Sequence, residues 1–229
     1  MASLPFTPEE PDDPLRGSVA VLVPAYEEAD NLVPVVRAAL EAQVGDVLVV
    51  DDGSSDATAE VARRAGARVL ELSENRGKGG AIAAGAASLD SDVVVLLDAD
   101  LVGLEPEHVR ALAEPVASGA ADMARGTFKD GRWRTTAAQH VLPVLNGQRA
   151  LRRAALLAVP GLADSRYGVE IAITREARER GWHTVDVPLP GVSQVTKEEK
   201  RGWRRGLRVR LRMYREILGT LVNRTRQHR

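Results

Sequence analysis

The sequence contains no cysteine, which excludes disulfides, thiolate catalysis and cysteine-held zinc or iron–sulfur sites together and agrees with a reducing compartment. It also lacks a dominant charge. The 31 Lys and Arg nearly balance 32 Asp and Glu, a formal net charge of -1, so bulk charge does not make it a polyanion binder. No run approaches the roughly 18 to 20 apolar residues that span a bilayer, and the start has no cationic stretch leading into an apolar one. A cytosolic protein is expected. The four histidines, His108, His140, His183 and His228, show no His-x-x-x-His spacing, so each reads as structural. Gly-x-Ser-x-Gly is missing too, against a serine hydrolase of the α/β type. What remains is 229 residues that are 44% hydrophobic and 28% charged, enough for one compact domain with a core.

Residues 1–17 interleave prolines at 5, 8, 11 and 14 with Glu9, Glu10, Asp12 and Asp13, a composition that neither packs nor propagates a helix, and a loose tail is predicted. Order is expected from Val19, where 19–23 is an apolar run closed by Pro24. Helix-sized and strand-sized segments then alternate. Strands are predicted at 46–50, 68–70 and 93–97; helices are predicted at 31–42, at 56–65 behind an acidic cap, and at 78–87. The spacing means βαβ units and a largely parallel α/β sheet, and the uninterrupted apolar strands require cover on both faces. Beyond Asp100 helices are expected at 107–118, around 141–158 and at 169–180, with strands near 121–126 and 184–187.

Parallel sheets place ligands beyond the carboxyl ends of their strands. The second strand ends in VVDDGSSD, where Asp51 and Asp52 can accept from a base N–H or ribose hydroxyls and Gly53 permits a tight turn; a plain turn with Asp56 as cap is the competing reading. The fourth ends in Asp98-Ala99-Asp100. Two carboxylates at i and i+2 on an extended chain project to one side, which is expensive without a cation, and Mg²⁺ or Mn²⁺ with phosphate oxygens is the economical answer. The turn after the first strand, PAYEEADN, has no glycine, which argues against a Rossmann dehydrogenase and a sugar-phosphate nucleotidyltransferase. Asn75 to Gly80 lacks P-loop spacing, yet Arg76 and Lys78 at a helix start form an anion site or a solvated turn.

Taken in order, VLVPAYEEADNLVPVV, DVLVVDDGSSDATAEVA, NRGKGGAIAAGAA, VVVLLDADL, LNGQRALRRAAL and YGVEIAI resemble the GT-A glycosyltransferases of the family 2 type, over roughly residues 18–215. Among relatives the chain is similar to polyprenyl-phosphate sugar synthases and glucosyl-3-phosphoglycerate synthases. The resemblance implies a single GT-A domain with a nucleotide-binding half at 18–102, an acceptor half at 103–196 and a basic C-terminal helix. It also implies a UDP- or GDP-linked sugar donor. Pro24, Ala25, Tyr26 and Glu28 would line the nucleoside pocket with Asp51 and Asp52; Lys78 would approach base or phosphates, Asp98 and Ala99 the ribose, and Asp100 the metal. Where the family has Asn, Glu27 stands. Phosphoglycerate-type relatives supply a late histidine to the metal, and PGVSQVTKEEK offers Gln194.

Charge development sets the expected mechanism. Departure of the nucleoside diphosphate leaves negative charge that Mg²⁺ or Mn²⁺ on Asp100 stabilises as a Lewis acid. A hydroxyl acceptor needs a general base, for which Glu170 is the candidate, whereas a phosphate acceptor is already ionised. Arg149, Arg152 and Arg153 carry forks that match a phosphate, Arg149 foremost; a solvated helix face is the other reading. Residues 197–229 hold twelve Lys or Arg and three Glu, leaving a net -10 on the rest. There Trp203, Leu207, Leu211, Tyr214, Leu218 and Leu221 form a helical stripe. Three readings stand: docking on anionic lipid near a polyprenyl-phosphate carrier, packing on a partner subunit in a homodimer, or cover for the sheet. Nucleic acid is disfavoured, because no aromatic stacking platform accompanies the arginines. The competitor from another class is a non-catalytic module binding nucleotide-sugar or anionic membrane on the same fold.

Overall fold

In the computed structural model, residues 15, 18–128, 147–165 and 168–194 are described. The tail other than Leu15 and the basic segment 197–229 lie outside them. Alternating apolar runs and amphipathic stretches become β1 (Val19–Ala25), α1 (Leu32–Glu41), β2 (Gly45–Asp51), α2 (Thr58–Arg64), β3 (Arg68–Glu71), α3 (Gly77–Ala87) and β4 (Val93–Leu96). After them come β5 (Leu101–Val102), α4 (Pro106–Ala117), β6 (Met123–Thr127), β7 (Arg149–Arg152), α5 (Arg153–Leu157), α6 (Val169–Glu179), β8 (Thr184–Pro188) and β9 (Ser193–Gln194).

Seven strands form one sheet in the order β3-β2-β1-β4-β7-β6-β8. Only β7 runs antiparallel to its neighbours, β4 and β6, in that sheet. Successive residues of a strand face opposite sides, and here both sides are buried, as the continuous apolar runs predict. Val19, Val21, Val23, Val47, Val49, Val93 and Val95 pack with α1 and α4 through Leu32, Val35, Val109 and Leu112. Ala20, Leu22, Leu48, Val50, Val94 and Leu96 pack with α3, α5 and α6 through Ile82, Leu156 and Ile173. Gly85 lets α3 lie close to the sheet: a Cβ there would stand 2.7 Å from Val50 Cγ2. Among the described residues no helix is long and apolar enough to cross a membrane.

Four local expectations need correction. Leu15, placed in the loose tail, is 5% exposed and belongs to the core. Strand β1 continues through Pro24 instead of ending before it. The Asp52 N–H donates to the Ala25 carbonyl, so Ala25 faces β2 and Pro24 faces the other side. There the pairing with β4 has ended at Leu22 and Leu96, and the missing N–H costs nothing. Helix α2 opens at Thr58, two residues late, with the Asp56 carboxylate accepting the Thr58 N–H at 3.0 Å. Of the helix expected around 141–158, residues 141–146 lie outside the described residues, and 149–152 form strand β7, followed by the short α5. RALR is a good helix sequence by propensity. Ala150 and Leu151 are fully buried between β4 and β6, and that pairing overrides it.

Candidate active site

The chain winds from β1 outward through β2 to β3, then returns to place β4 on the other side of β1. This reversal opens a crevice at the carboxyl ends of β1 and β4, where open α/β sheets bind ligands. Pro24, Ala25, Tyr26 and Glu28 leave β1 at that rim, Asp51 and Asp52 leave β2, and Asp98, Ala99 and Asp100 follow β4. A cavity of about 500 Å³ lined by Val19, Gly45, Asp46, Arg68 and Ser91 lies on the opposite rim, at the amino ends of the strands.

The two loops beside β1 and β2 are stitched together. The Glu27 N–H donates to Ser54 Oγ and the Glu28 N–H to Thr58 Oγ1, both at 2.9 Å, and the Ala29 N–H reaches Asp56 Oδ2 at 3.3 Å. These bonds hold Glu27 in the left-handed region at φ 53, a conformation costly for a non-glycine residue. Burial alone would raise the Asp56 pKa, but the Thr58 hydroxyl and N–H and the Ala29 N–H outweigh it and hold the carboxyl below its ordinary range. Tyr26 stays 41% exposed, and the Glu28 carboxylate accepts from Asn31 Nδ2 at 2.9 Å.

Asp51 and Asp52 are both buried. Asp51 Oδ1 accepts the Ser54 N–H at 3.0 Å, closing a turn that runs through Gly53 at φ +71. A Cβ on Gly53 would lie 2.9 Å from the Glu74 backbone. Asp52, expected near the base, also binds the backbone at the head of α3. Its two oxygens accept the Arg76 N–H at 2.7 Å and the Gly77 N–H at 2.8 Å, fastening the start of α3.

That fastening sets the position of Lys78 in the first turn of α3. Its ammonium lies 2.6 Å from Asp98 Oδ1 and 2.5 Å from Glu170 Oε1, with the three side chains 23%, 15% and 10% exposed. Asp98 Oδ2 also accepts from Gln148 Nε2 at 3.0 Å and Gln194 Nε2 at 2.5 Å. Desolvation lowers the Lys78 pKa, but the charges of Asp98 and Glu170 and their hydrogen bonds raise it more, so the ammonium is held above its ordinary range. For Asp98 desolvation works upward and is overcome by Lys78 and the two glutamine amides, leaving the carboxyl below its ordinary range. Gly147 walls this cluster. A Cβ there would lie 2.7 Å from both Asp98 oxygens and from Lys78 Nζ.

Leu101 and Val102 pair with Gln194 and Ser193 in a two-stranded sheet, which carries Gln194 back over the Asp98 turn. Its amide Nε2 donates to Asp98 Oδ2. The turn itself differs from the extended pair read from sequence: β4 ends at Leu96, and Ala99 and Asp100 sit in a turn. Arg149 is not on a helix face. It is fully buried at the start of β7, and its Nη1 donates to Thr174 Oγ1 at 2.9 Å, whose hydroxyl donates to the Glu170 carbonyl at 2.7 Å. Burial draws the guanidinium down to about 10, with Glu170 opposing, Arg125 adding and Asp98 opposing. Arg149 thus lies beneath Glu170 and supports α6. Arg152 is exposed, and Arg153 donates to the Ser91 carbonyl at 2.8 Å. Residues the sequence did not single out include Gln148, Gly147 and Thr174; only the Gly-Gln-Arg run hinted at the first two. Among the described residues no group of three or more His, Asp or Glu side chains gathers as a metal site.

Comparison with known proteins gives a consistent picture. The family model described as glycosyl transferase family 2 matches residues 20–178. A glucosyl-3-phosphoglycerate synthase of Mycolicibacterium paratuberculosis is 27% identical over 245 residues, covering 90% of this chain and 72% of that protein. An undecaprenyl-phosphate 4-deoxy-4-formamido-L-arabinose transferase of Edwardsiella ictaluri is 38% identical over 112 residues. That match covers 44% of this chain, which spans only 34% of the relative's length. Among solved structures, glucosyl-3-phosphoglycerate synthase from Mycobacterium tuberculosis in complex with Mn²⁺ and UDP-glucose superposes with a TM-score of 0.73 at 25% identity, covering 90% of this chain and 78% of that one.

Proposed function

The chain belongs to glycosyl transferase family 2, and from that premise we propose that it transfers a hexosyl group from a UDP-sugar to a phosphorylated acceptor. The observation that carries this reading is the group of Asp98, Lys78 and Glu170 beyond the carboxyl end of β4, at the reversal point of the sheet. The stitched loops from Tyr26 to Glu28 and from Asp51 to Thr58 form a preorganised wall for the nucleoside. Lys78, held at the head of α3, faces the diphosphate. Glu170 is within reach of a hydroxyl proton if the acceptor offers one; a phosphate oxygen needs no such help.

The residues present fit Mg²⁺ or Mn²⁺ shared with the donor. Both ions accept one or two carboxylates and complete their shells with water and phosphate oxygens, so Asp100 with a diphosphate suffices where no larger ligand cluster is described. When bound, the metal supplies Lewis-acid stabilisation of the departing diphosphate. The related synthase solved with Mn²⁺ and UDP-glucose supports the ion and the uridine donor. The relatives' names support either of two acceptors, a small phospho-acid or a polyprenyl phosphate.

The test is transfer or hydrolysis of UDP-glucose with Mg²⁺ and Mn²⁺, for wild type and Asp100→Ala. Loss of turnover in the variant with an unchanged circular dichroism spectrum is expected; a normal rate removes Asp100 from the site. Absence of turnover with every donor, alongside donor binding, identifies a binding module instead. The net positive charge of residues 197–229 supports peripheral contact with anionic membrane on the cytoplasmic side. Salt-sensitive binding to phosphatidylglycerol vesicles is then expected, and its absence favours the small acceptor.

A further inference from the structure

We propose that Lys78 holds the electrostatic place of a divalent cation at Asp98 in the donor-free enzyme, so that the metal binds only together with a nucleoside diphosphate. This deepens the glycosyltransferase reading and rests on it. Asp98 is an engaged carboxylate. It takes an ammonium at 2.6 Å and amide donors at 3.0 and 2.5 Å. Each of these atoms carries protons and cannot ligate a metal. An ion approaching Asp98 therefore meets three donors to displace and a positive charge that repels it.

Lys78 is not readily displaced. It is the shared counter-ion of Asp98 and Glu170, and moving it without replacement leaves two largely buried carboxylates facing one another. Nor is there room beside it on the Gly147 side. The backbone of Gly147 fits so closely that a single added carbon would lie 2.7 Å from the ammonium and from both carboxylate oxygens. Ammonium and metal are therefore alternatives at Asp98. Asp100, two residues on, brings one carboxylate, and no cluster of three acidic or histidine ligands exists among the described residues. One carboxylate holds Mg²⁺ or Mn²⁺ weakly until phosphate oxygens join it. The arriving diphosphate does two things: it supplies those oxygens, and it offers the Lys78 ammonium another anion.

The experiment reads free Mn²⁺ by electron paramagnetic resonance on the full chain, titrated with and without UDP. Wild type is expected to leave the Mn²⁺ signal undiminished alone and to quench it with UDP beyond what UDP binds by itself. In Lys78→Met the nucleotide-free affinity for Mn²⁺ should rise by about tenfold or more, because a unit positive charge has left Asp98. Lys78→Arg, which keeps the charge, should stay as weak as wild type. Mn²⁺ binding by wild type without UDP as tight as with it overturns the proposal, as does a Lys78→Met variant no tighter than wild type. If Lys78→Met does not fold, the two wild-type titrations decide. Failure of wild type to bind Mn²⁺ and UDP in any combination overturns the donor reading itself, a different result from tight metal binding without nucleotide.

Discussion

Replacing Gly147 by alanine tests whether the cluster of Lys78, Asp98 and Glu170 has the tight geometry described. The new Cβ would lie 2.7 Å from Asp98 Oδ1, Asp98 Oδ2 and Lys78 Nζ, against 3.4 Å for ordinary van der Waals contact. Some part of the site must give by about 0.7 Å. The crowded atoms are side-chain ends, so the backbone need not distort. Those ends are pinned, however: Nζ sits 2.6 and 2.5 Å from two carboxylates, and Asp98 is held by two glutamines. A shift of that size lengthens at least one charge-assisted bond out of range, a loss of about 1.5–3 kcal/mol for a group with little solvent to replace it. Urea unfolding should show that loss. Turnover of UDP-glucose should fall by more than the stability change alone explains, since the displaced atoms line the crevice. Gly168→Ala is the control: among the described residues nothing lies within 4 Å of its added carbon, and a change within about 0.5 kcal/mol is expected. A Gly147→Ala protein with wild-type stability and turnover would refute the described packing.

Three further outcomes follow from the same geometry. Asp52→Ala strands the N–H groups of Arg76 and Gly77 and should cost about 1–3 kcal/mol in thermal or urea unfolding; full stability with lost donor binding would return Asp52 to the nucleobase. Arg149→Ala should lose about 3 kcal/mol of stability while the acceptor KM of the folded fraction stays put, because the side chain is fully buried; unchanged stability with a raised acceptor KM would restore the phosphate clamp. The pH dependence has a defined sign. Asp98 is held below its ordinary 3.8, so its contribution is present above that pH and lost as pH falls through the lower folded value. Lys78 is held above its ordinary 10.5, so its contribution is present below that pH and lost as pH rises through the higher folded value. Urea midpoints should therefore be flat, as far as this pair decides them, from about pH 5 to about pH 10. Asp98→Asn should reduce the acid loss, and an identical acid slope in both proteins would count against the pair.

Much of the first half of the fold could be read from the residues. Val19, Val47 and Val93 begin runs apolar on both faces, and only a parallel sheet covered twice can bury them. Those strands also located the rim, since Asp51, Asp52, Asp98 and Asp100 follow their carboxyl ends. What escaped was set by distant pairing. Lys78 and Glu170 are 92 positions apart, and no local pattern says that an ammonium joins that carboxylate to Asp98. RALR read as helix because its propensity is helical, and the slot between β4 and β6 that makes it a strand is a tertiary fact. The same error put Arg149 on a helix, where it stands buried at the start of a strand. Gln148 was silent, and Gln194 was named through the resemblance alone, as a metal contact: a glutamine's tie to a carboxylate is seen only once the fold brings the two together. Leu15 sat among prolines and acids whose composition hid one core residue.

The central claim, that the acidic rim at the sheet's reversal point receives a sugar nucleotide with its metal, is tested most directly by a crystal structure of the chain soaked with Mn²⁺ and UDP-glucose. Mn²⁺ is expected at the Asp100 carboxylate together with the diphosphate, the uridine against the Tyr26 to Glu28 and Asp51 to Thr58 loops, and the Lys78 ammonium turned toward phosphate. A nucleotide bound elsewhere, or a rim that stays empty at saturating donor with Asp100 facing bulk water, would contradict it.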